Sequence, residues 1–181
     1  MTNSGLLIGI LIGVVALLLV GGAVGWLLYR RYARAALVRL VGHREGIRAA
    51  YRALEATFAS LSEETAEEML SFAEQPDNVR RKALEELNER LTIEVGELGE
   101  MALPKNAWPA ADLLMDAATC VRDEIGKITG AGSPEGVLAA VAALDVEAMR
   151  TAMAKAGAEL EGQLQAAKIK DAAVYGGGLY I

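Results

Sequence analysis

The sequence predicts an all-α protein: one N-terminal transmembrane helix followed by a cytoplasmic antiparallel helical bundle of four long helices and two short ones. Three observations lead there. Gly5 to Leu28 is a 24-residue run of Leu, Ile, Val, Ala and Gly interrupted by one Trp and carrying no charge. Every later segment repeats apolar residues at three- and four-residue spacing, the period of a helix with one buried face. Few stretches alternate apolar and polar residues over four or more positions, so no sheet is expected.

The apolar run is long enough to cross a hydrocarbon core of about 30 Å at about 1.5 Å per residue. A cleaved signal peptide is the competing reading, with Gly22-Ala23 as a small-residue cleavage site. It is disfavoured because Met1-Thr2-Asn3-Ser4 has no basic residue and because the run exceeds an h-region of about 7 to 15 residues. The expected divisions are a short extracytoplasmic segment 1–4, a span 5–29, an arginine-rich juxtamembrane helix 30–61, the rest of the bundle 62–171, and a glycine-rich tail 172–181.

Charge sets the expected orientation. Residues 30–52 hold seven arginines against the single acid Glu45, a balance of +6, whereas residues 53–181 hold 11 basic and 23 acidic side chains, a balance of −12. Lys and Arg accumulate on the cytoplasmic flank of a span, so Arg30, Arg31, Arg34 and Arg39 place the N-terminus outside and the C-terminal domain in the cytoplasm of a cell-membrane protein. The same arginines are candidates for contact with anionic headgroups. Trp26, Tyr29 and Tyr32 form an aromatic belt at the inner interface. The acidic body disfavours nucleic acid as a partner, since phosphate contacts need clustered cations.

Gly5, Gly9, Gly13, Gly21 and Gly25 fall on one four-residue series broken by Leu17. Small residues at that spacing let a second helix approach closely, which makes the span a candidate homodimer interface.

Beyond the span, Leu37, Leu40, Arg44, Ile47, Tyr51, Leu54, Phe58 and Leu61 form a heptad-like, coiled-coil-type seam with one polar exception. Residues 30–61 therefore read as one long helix, either separate from the span or continuous with it, its stripe covered by its own domain or by a second copy. Ser62 is the expected N-cap of a short helix ending near Glu74, with Glu63 and Glu64 in its first turn. After the turn at Pro76-Asp77-Asn78, a third helix presents Leu84, Leu87, Leu91, Val95, Leu98 and Ala102, with Gly96 and Gly99 suggesting close packing or a bend.

Residues 103–109 read as a connector, and Leu114, Ala117, Val121, Ile125 and Ile128 as the face of a fourth helix. Ser133-Pro134 then caps and opens a short fifth helix. Asp145 caps a sixth with Met149, Met153, Ala156, Leu160, Leu164 and Ala167 on one side, and Gly176, Gly177 and Gly178 end it. The apolar tip Leu179, Tyr180 and Ile181 either folds back onto the bundle or is offered to a partner that captures apolar C-termini.

No catalytic, cofactor-binding or metal-binding constellation stands out. With His43 as the single histidine, a two-histidine zinc site and the paired Glu-x-x-His motifs of di-iron bundles cannot be completed within one chain, and no Ser-His-Asp triad is expected. His43 is expected to be a solvated interfacial residue. Asp112, Asp116 and Asp123, and Glu64, Glu67 and Glu68, are expected on solvated faces. Gly130-x-Gly132 lacks both the Gly-Lys-Ser/Thr ending and the preceding strand of a phosphate loop. Cys120, the lone cysteine, reads as a small core residue.

The functional expectation is a non-enzymatic, membrane-anchored scaffold or protein-interaction module with the bilayer, an unidentified cytoplasmic protein and a second copy of itself as partners. The alternative is a sensory or small-molecule-binding helical bundle.

Overall fold

The computed structural model describes residues 3–62 and 65–169, with side-chain surroundings from residue 13 onward apart from those of Ser62. Among the described residues there are six α-helices and no strand: α1 (Asn3–Ser62), α2 (Ala66–Glu74), α3 (Val79–Glu100), α4 (Trp108–Thr129), α5 (Pro134–Ala142) and α6 (Val146–Ala166), with a short 3-10 turn at Lys105–Ala107.

The first helix is uninterrupted over 60 residues, about 90 Å at 1.5 Å per residue. Its two halves live in different surroundings. From Gly13 to Tyr32 every residue is exposed, including Leu17 at 75%. From Ala36 onward one face is buried, and it includes Leu37, Leu40, Arg44, Ile47, Leu54 and Leu61, while Tyr51 and Phe58 are half-buried. The heptad seam is thus covered by the chain's own α3, α4 and α6.

Contacts along α1 give the relative directions of its neighbours. Tyr32 Oη donates to the Ala102 carbonyl at 2.8 Å and His43 Nδ1 lies 2.6 Å from Glu94, so moving forward on α1 moves backward on α3. Arg34 reaches the Ala167 carbonyl at 3.3 Å and Arg44 approaches Glu161 at 3.9 Å, so α6 also runs opposite to α1. α4 packs on α3, α6, α5 and α1 and buries Ala110, Leu114, Ala117, Ala118, Val121, Ile125 and Ile128.

Local capping explains most of the boundaries. Thr65, not Ser62, caps α2: its hydroxyl accepts from the Glu68 N–H while Glu68 Oε2 accepts the Thr65 N–H at 2.9 Å. The expectation at Ser62 fails because only Thr65 has an acid three residues on, which allows the reciprocal pair, and α1 simply continues through Ser62. The two donors from Thr65 also hold the Glu68 carboxyl below its ordinary pKa. Glu63 and Glu64 lie outside the described residues. Ser133 and Asp145 cap α5 and α6 with their side chains, as their sequence positions suggest, and Asn78 of the turn caps α3 in the same way.

Other boundaries differ from the sequence reading. Trp108 and Pro109 belong to α4, where proline at the first turn costs no hydrogen bond, and not to the connector. A Cβ at Gly96 would meet nothing and one at Gly99 only Met115 Sδ at 4.0 Å, so close packing does not require either glycine. Ala102 lies beyond the end of α3 and is exposed.

The last helix closes at Ala166, well before the glycines at 176–178. The Ile169 N–H bonds to the Leu164 carbonyl (2.9 Å) and the Lys168 N–H to the Gln165 carbonyl (3.0 Å), the paired closure of a Schellman motif. Lys168 holds the left-handed position of that motif with φ 54°, where glycine is the usual residue. Residues 170–181, and with them Leu179, Tyr180 and Ile181, lie outside the described residues.

Candidate functional site

Three places gather polar side chains, and two of them involve α1. The first is a layer across α1, α3 and α6. His43 is half-buried against α3, with Nδ1 2.6 Å from Glu94 Oε2 and 4.0 Å from Glu97 Oε2. The expected solvated His43 is corrected: the register of α1 on α3 sets its imidazole opposite the Glu94 carboxylate.

One residue further, Arg44 is 1% exposed on the buried seam, its Nε donating to Glu45 Oε1 at 3.0 Å. Arg48 donates to the same oxygen at 3.0 Å and lies against Gly157 of α6, where a Cβ would come within 3.3 Å of its Nη2.

Gly46 is the quiet partner in this layer. A Cβ there would fall 2.6 Å from Glu94 Oε1, so the missing side chain makes the room in which that carboxylate sits. Alanine at 46 gains about 1 kcal/mol of helix propensity, and the contact it meets is the movable tip of a glutamate. The two effects oppose each other. Gly46→Ala should therefore change stability little in the native chain, yet stabilise it by about 1 kcal/mol in a Glu94→Ala background where nothing is displaced. Urea unfolding of the four variants of this cycle measures the difference, and equal effects in both backgrounds would remove Gly46 from the site.

The donor atoms of His43, Glu94 and Glu97 lie within 4.8 Å of one another, a set of atoms that divalent cations accept. The close His43–Glu94 contact already pairs two of the three, and the Glu97 side chain is 61% exposed. The visible chemistry of the layer is cross-linking of α1 to α3. The sequence signal for it was Glu94 and Glu97 at i, i+3 opposite a histidine, a pairing that needs the register to be known.

The second place is the far side of the body. Glu124 of α4 is 7% exposed, ion-paired with Lys127 and accepting the Asp145 N–H at 3.3 Å, which ties α4 to the start of α6. Arg81 is also 7% exposed and donates to the Ala73 and Thr129 carbonyls, joining the ends of α2 and α4 to α3. Cys120 is half-buried, and burial together with Glu124, Asp145 and Asp123 pushes its thiol up, away from the thiolate that reactive cysteines need. Asp112, Asp116 and Asp123 are exposed, as expected of a solvated face.

Two clefts open beside α6. One of about 250 Å³, between Tyr51, Leu54, Phe58, Leu144, Val146 and Met149, is mainly apolar. Its two polar side chains satisfy one another, Tyr51 Oη donating to Glu55 at 2.7 Å. The other, of about 530 Å³, is a shallow surface between Asp116, Asp145, Glu147, Thr151 and Lys155. The first offers no converging polar groups of the kind that orient a small ligand, and the second carries its polar side chains on an open surface.

The third place is the junction between the exposed apolar half of α1 and the helical body. The arginines there are not equivalent. The Arg30 guanidinium stacks over the Trp26 ring at 5.3 Å, and Arg34 bridges to α6. Arg31 lies over Val24, Leu27 and Leu28, and Arg39 is exposed. Trp26, Arg30, Arg34, Asn106 and Lys168 line a cleft of about 270 Å³.

In the apolar half, a Cβ at Gly13, Gly21 or Gly25 would meet nothing within 4 Å; the surroundings of Gly5 and Gly9 are outside the described side chains. Set against family models, curated proteins and solved structures, the chain matches none.

Proposed function

We propose that the chain is a single-pass membrane protein whose cytoplasmic part, an antiparallel four-helix bundle of α1, α3, α4 and α6, works as a non-enzymatic scaffold or protein-interaction module. The carrying observation is the continuity of α1. One helix passes from a segment that is apolar on all sides and exposed on all sides into the buried seam of the body. A window of that helix has mean hydropathy 1.7 and no buried residue. A segment of that kind is unfavourable in water and favourable in lipid.

A continuous α-helix also transmits orientation. With no loop at Arg30 to Ala36, the body is held at a fixed angle to the span, an arrangement suited to presenting a surface at a constant distance from the bilayer. The open face at Gly13, Gly21 and Gly25 is available to a second copy of the span, which would set two bodies side by side. The polar layers described above tie helix to helix, which supports structural work for them rather than catalysis.

Topology is the first test. The one-sided arginines lead to the expectation that green fluorescent protein fused after Ile181 fluoresces and alkaline phosphatase fused there is inactive, while the protein stays in membranes through carbonate extraction. Active phosphatase would reverse the orientation. Release by carbonate would sink the tether itself.

A further inference from the structure

The cleft at the junction has a composition that the scaffold reading leaves unexplained. Three elements build it: α1 contributes Trp26, Arg30 and Arg34, the connector before α4 contributes Asn106, and the end of α6 contributes Lys168. Three cations thus face one volume of about 270 Å³, and among the described residues no carboxylate lines it. In a body with an excess of acidic side chains, such a concentration of positive charge is not a property of the average surface.

We propose that this cleft binds the phosphodiester of an anionic phospholipid headgroup. The site rests on the membrane reading given above, because it is the aromatic belt that puts it at the right depth. Trp26 and Tyr29 belong at the interface, and Arg30 and Arg34 follow one turn apart on the same side of α1, about 6 Å along its axis, at the level where phosphates sit.

The hydrogen-bonding capacity is available. Arg34 uses one N–H on the Ala167 carbonyl, at 3.3 Å, and a guanidinium carries five, so its fork remains able to take two phosphate oxygens. The same contact covers a C-terminal carbonyl of α6 that would otherwise repel an anion. Lys168 supplies a point charge from the opposite wall. It does so from a left-handed backbone position where glycine would be easier, a cost that a side chain engaged in binding explains.

The geometry also separates the arginines. Arg30 and Arg34 face the cleft, whereas Arg31 lies over Val24, Leu27 and Leu28 and can do no more than contribute to the diffuse field at the surface.

The test uses the full chain in neutral detergent micelles with Trp108→Phe, which leaves Trp26 in the cleft wall as the reporter. Dioleoylphosphatidylglycerol, dioleoylphosphatidylcholine and sodium phosphate are titrated separately. The expected result is a saturable change in Trp26 emission with phosphatidylglycerol, and at least about tenfold weaker apparent affinity for phosphatidylcholine. Arg34→Gln and Lys168→Gln should each weaken the phosphatidylglycerol response about fivefold, the contribution of one headgroup-facing cation, and Arg31→Gln less than about twofold.

Lys168→Gln touches no backbone bond of α1, so it keeps the test sound should Arg34→Gln unfold the junction, which circular dichroism reports. Equal losses for Arg31→Gln and Lys168→Gln would overturn the site in favour of diffuse attraction. Saturation by millimolar phosphate with the same emission change would overturn the lipid as its source. A chain that withstands carbonate extraction but shows no preference for phosphatidylglycerol sinks the cleft alone, whereas extraction of the wild type by carbonate sinks the tether.

Discussion

Replacing Arg44 with alanine should destabilise the helical body by about 2 to 4 kcal/mol, and replacing it with leucine should cost less than about 1 kcal/mol. The contrast follows from where the charge partners sit. Arg44 is 1% exposed on the seam of α1, between Leu40 and Ile47, whereas the side chains of Glu45 and Glu161 are 33% and 54% exposed. Both glutamates can be rehydrated once the guanidinium is gone, so the loss of the ion pair is a small effect.

What cannot be recovered is the volume of the buried stem, and alanine leaves that space empty. Leucine largely refills it and completes the heptad pattern. Arg44→Glu is the severe case, because it buries a carboxylate beside Glu45 and near Glu161, and should cost more than about 3 kcal/mol. Thermal unfolding of the full chain in micelles, followed by circular dichroism, measures all three. If leucine proves as damaging as alanine, the ionic contacts and not the volume hold this layer together.

Arg44 also shows where a sequence stops being readable. Its position in the 3-4 spacing was plain, and so was its polarity, yet whether such a residue interrupts a seam or is buried within it depends on what the opposite helices offer. The helices themselves were legible because each repeats apolar residues at helical spacing, as on α4, where Leu114, Ala117, Val121, Ile125 and Ile128 are all buried.

Caps were legible at Ser133 and Asp145 and misread at Ser62, where the structure uses Thr65 instead. The junction cleft was half legible. Arg30 and Arg34 stood out by number, but Lys168 lies 134 positions after Arg34, and only the antiparallel return of α6 brings the two together. The same holds for His43 and Glu94, whose proximity is a matter of register.

Leu114→Ala should have the largest effect of any conservative truncation in the body. Leu114 is fully buried on α4, the helix that packs on α1, α3, α5 and α6. Its neighbours on that helix, Ala117 and Ala118, are also fully buried and have no rotamer with which to fill a void. A cavity that cannot collapse puts the cost in the upper part of the usual 2 to 5 kcal/mol, so roughly 3 to 5 kcal/mol.

For a body of this size each kcal/mol lowers Tm by about 2 to 4 °C, which predicts a fall of at least about 6 °C. Ile93→Ala on α3 is the control, since Ile93 is 61% exposed and should change stability by less than about 0.5 kcal/mol. Comparable losses for the two variants would mean that α4 is not the centre of the packing. The exposed apolar half of α1 makes no contribution to this core, so under the proposed membrane anchoring Leu114→Ala should leave carbonate resistance unchanged even as Tm falls. A variant that loses both together would show that the body and the apolar half of α1 form one cooperative unit, with α1 melting as a single helix.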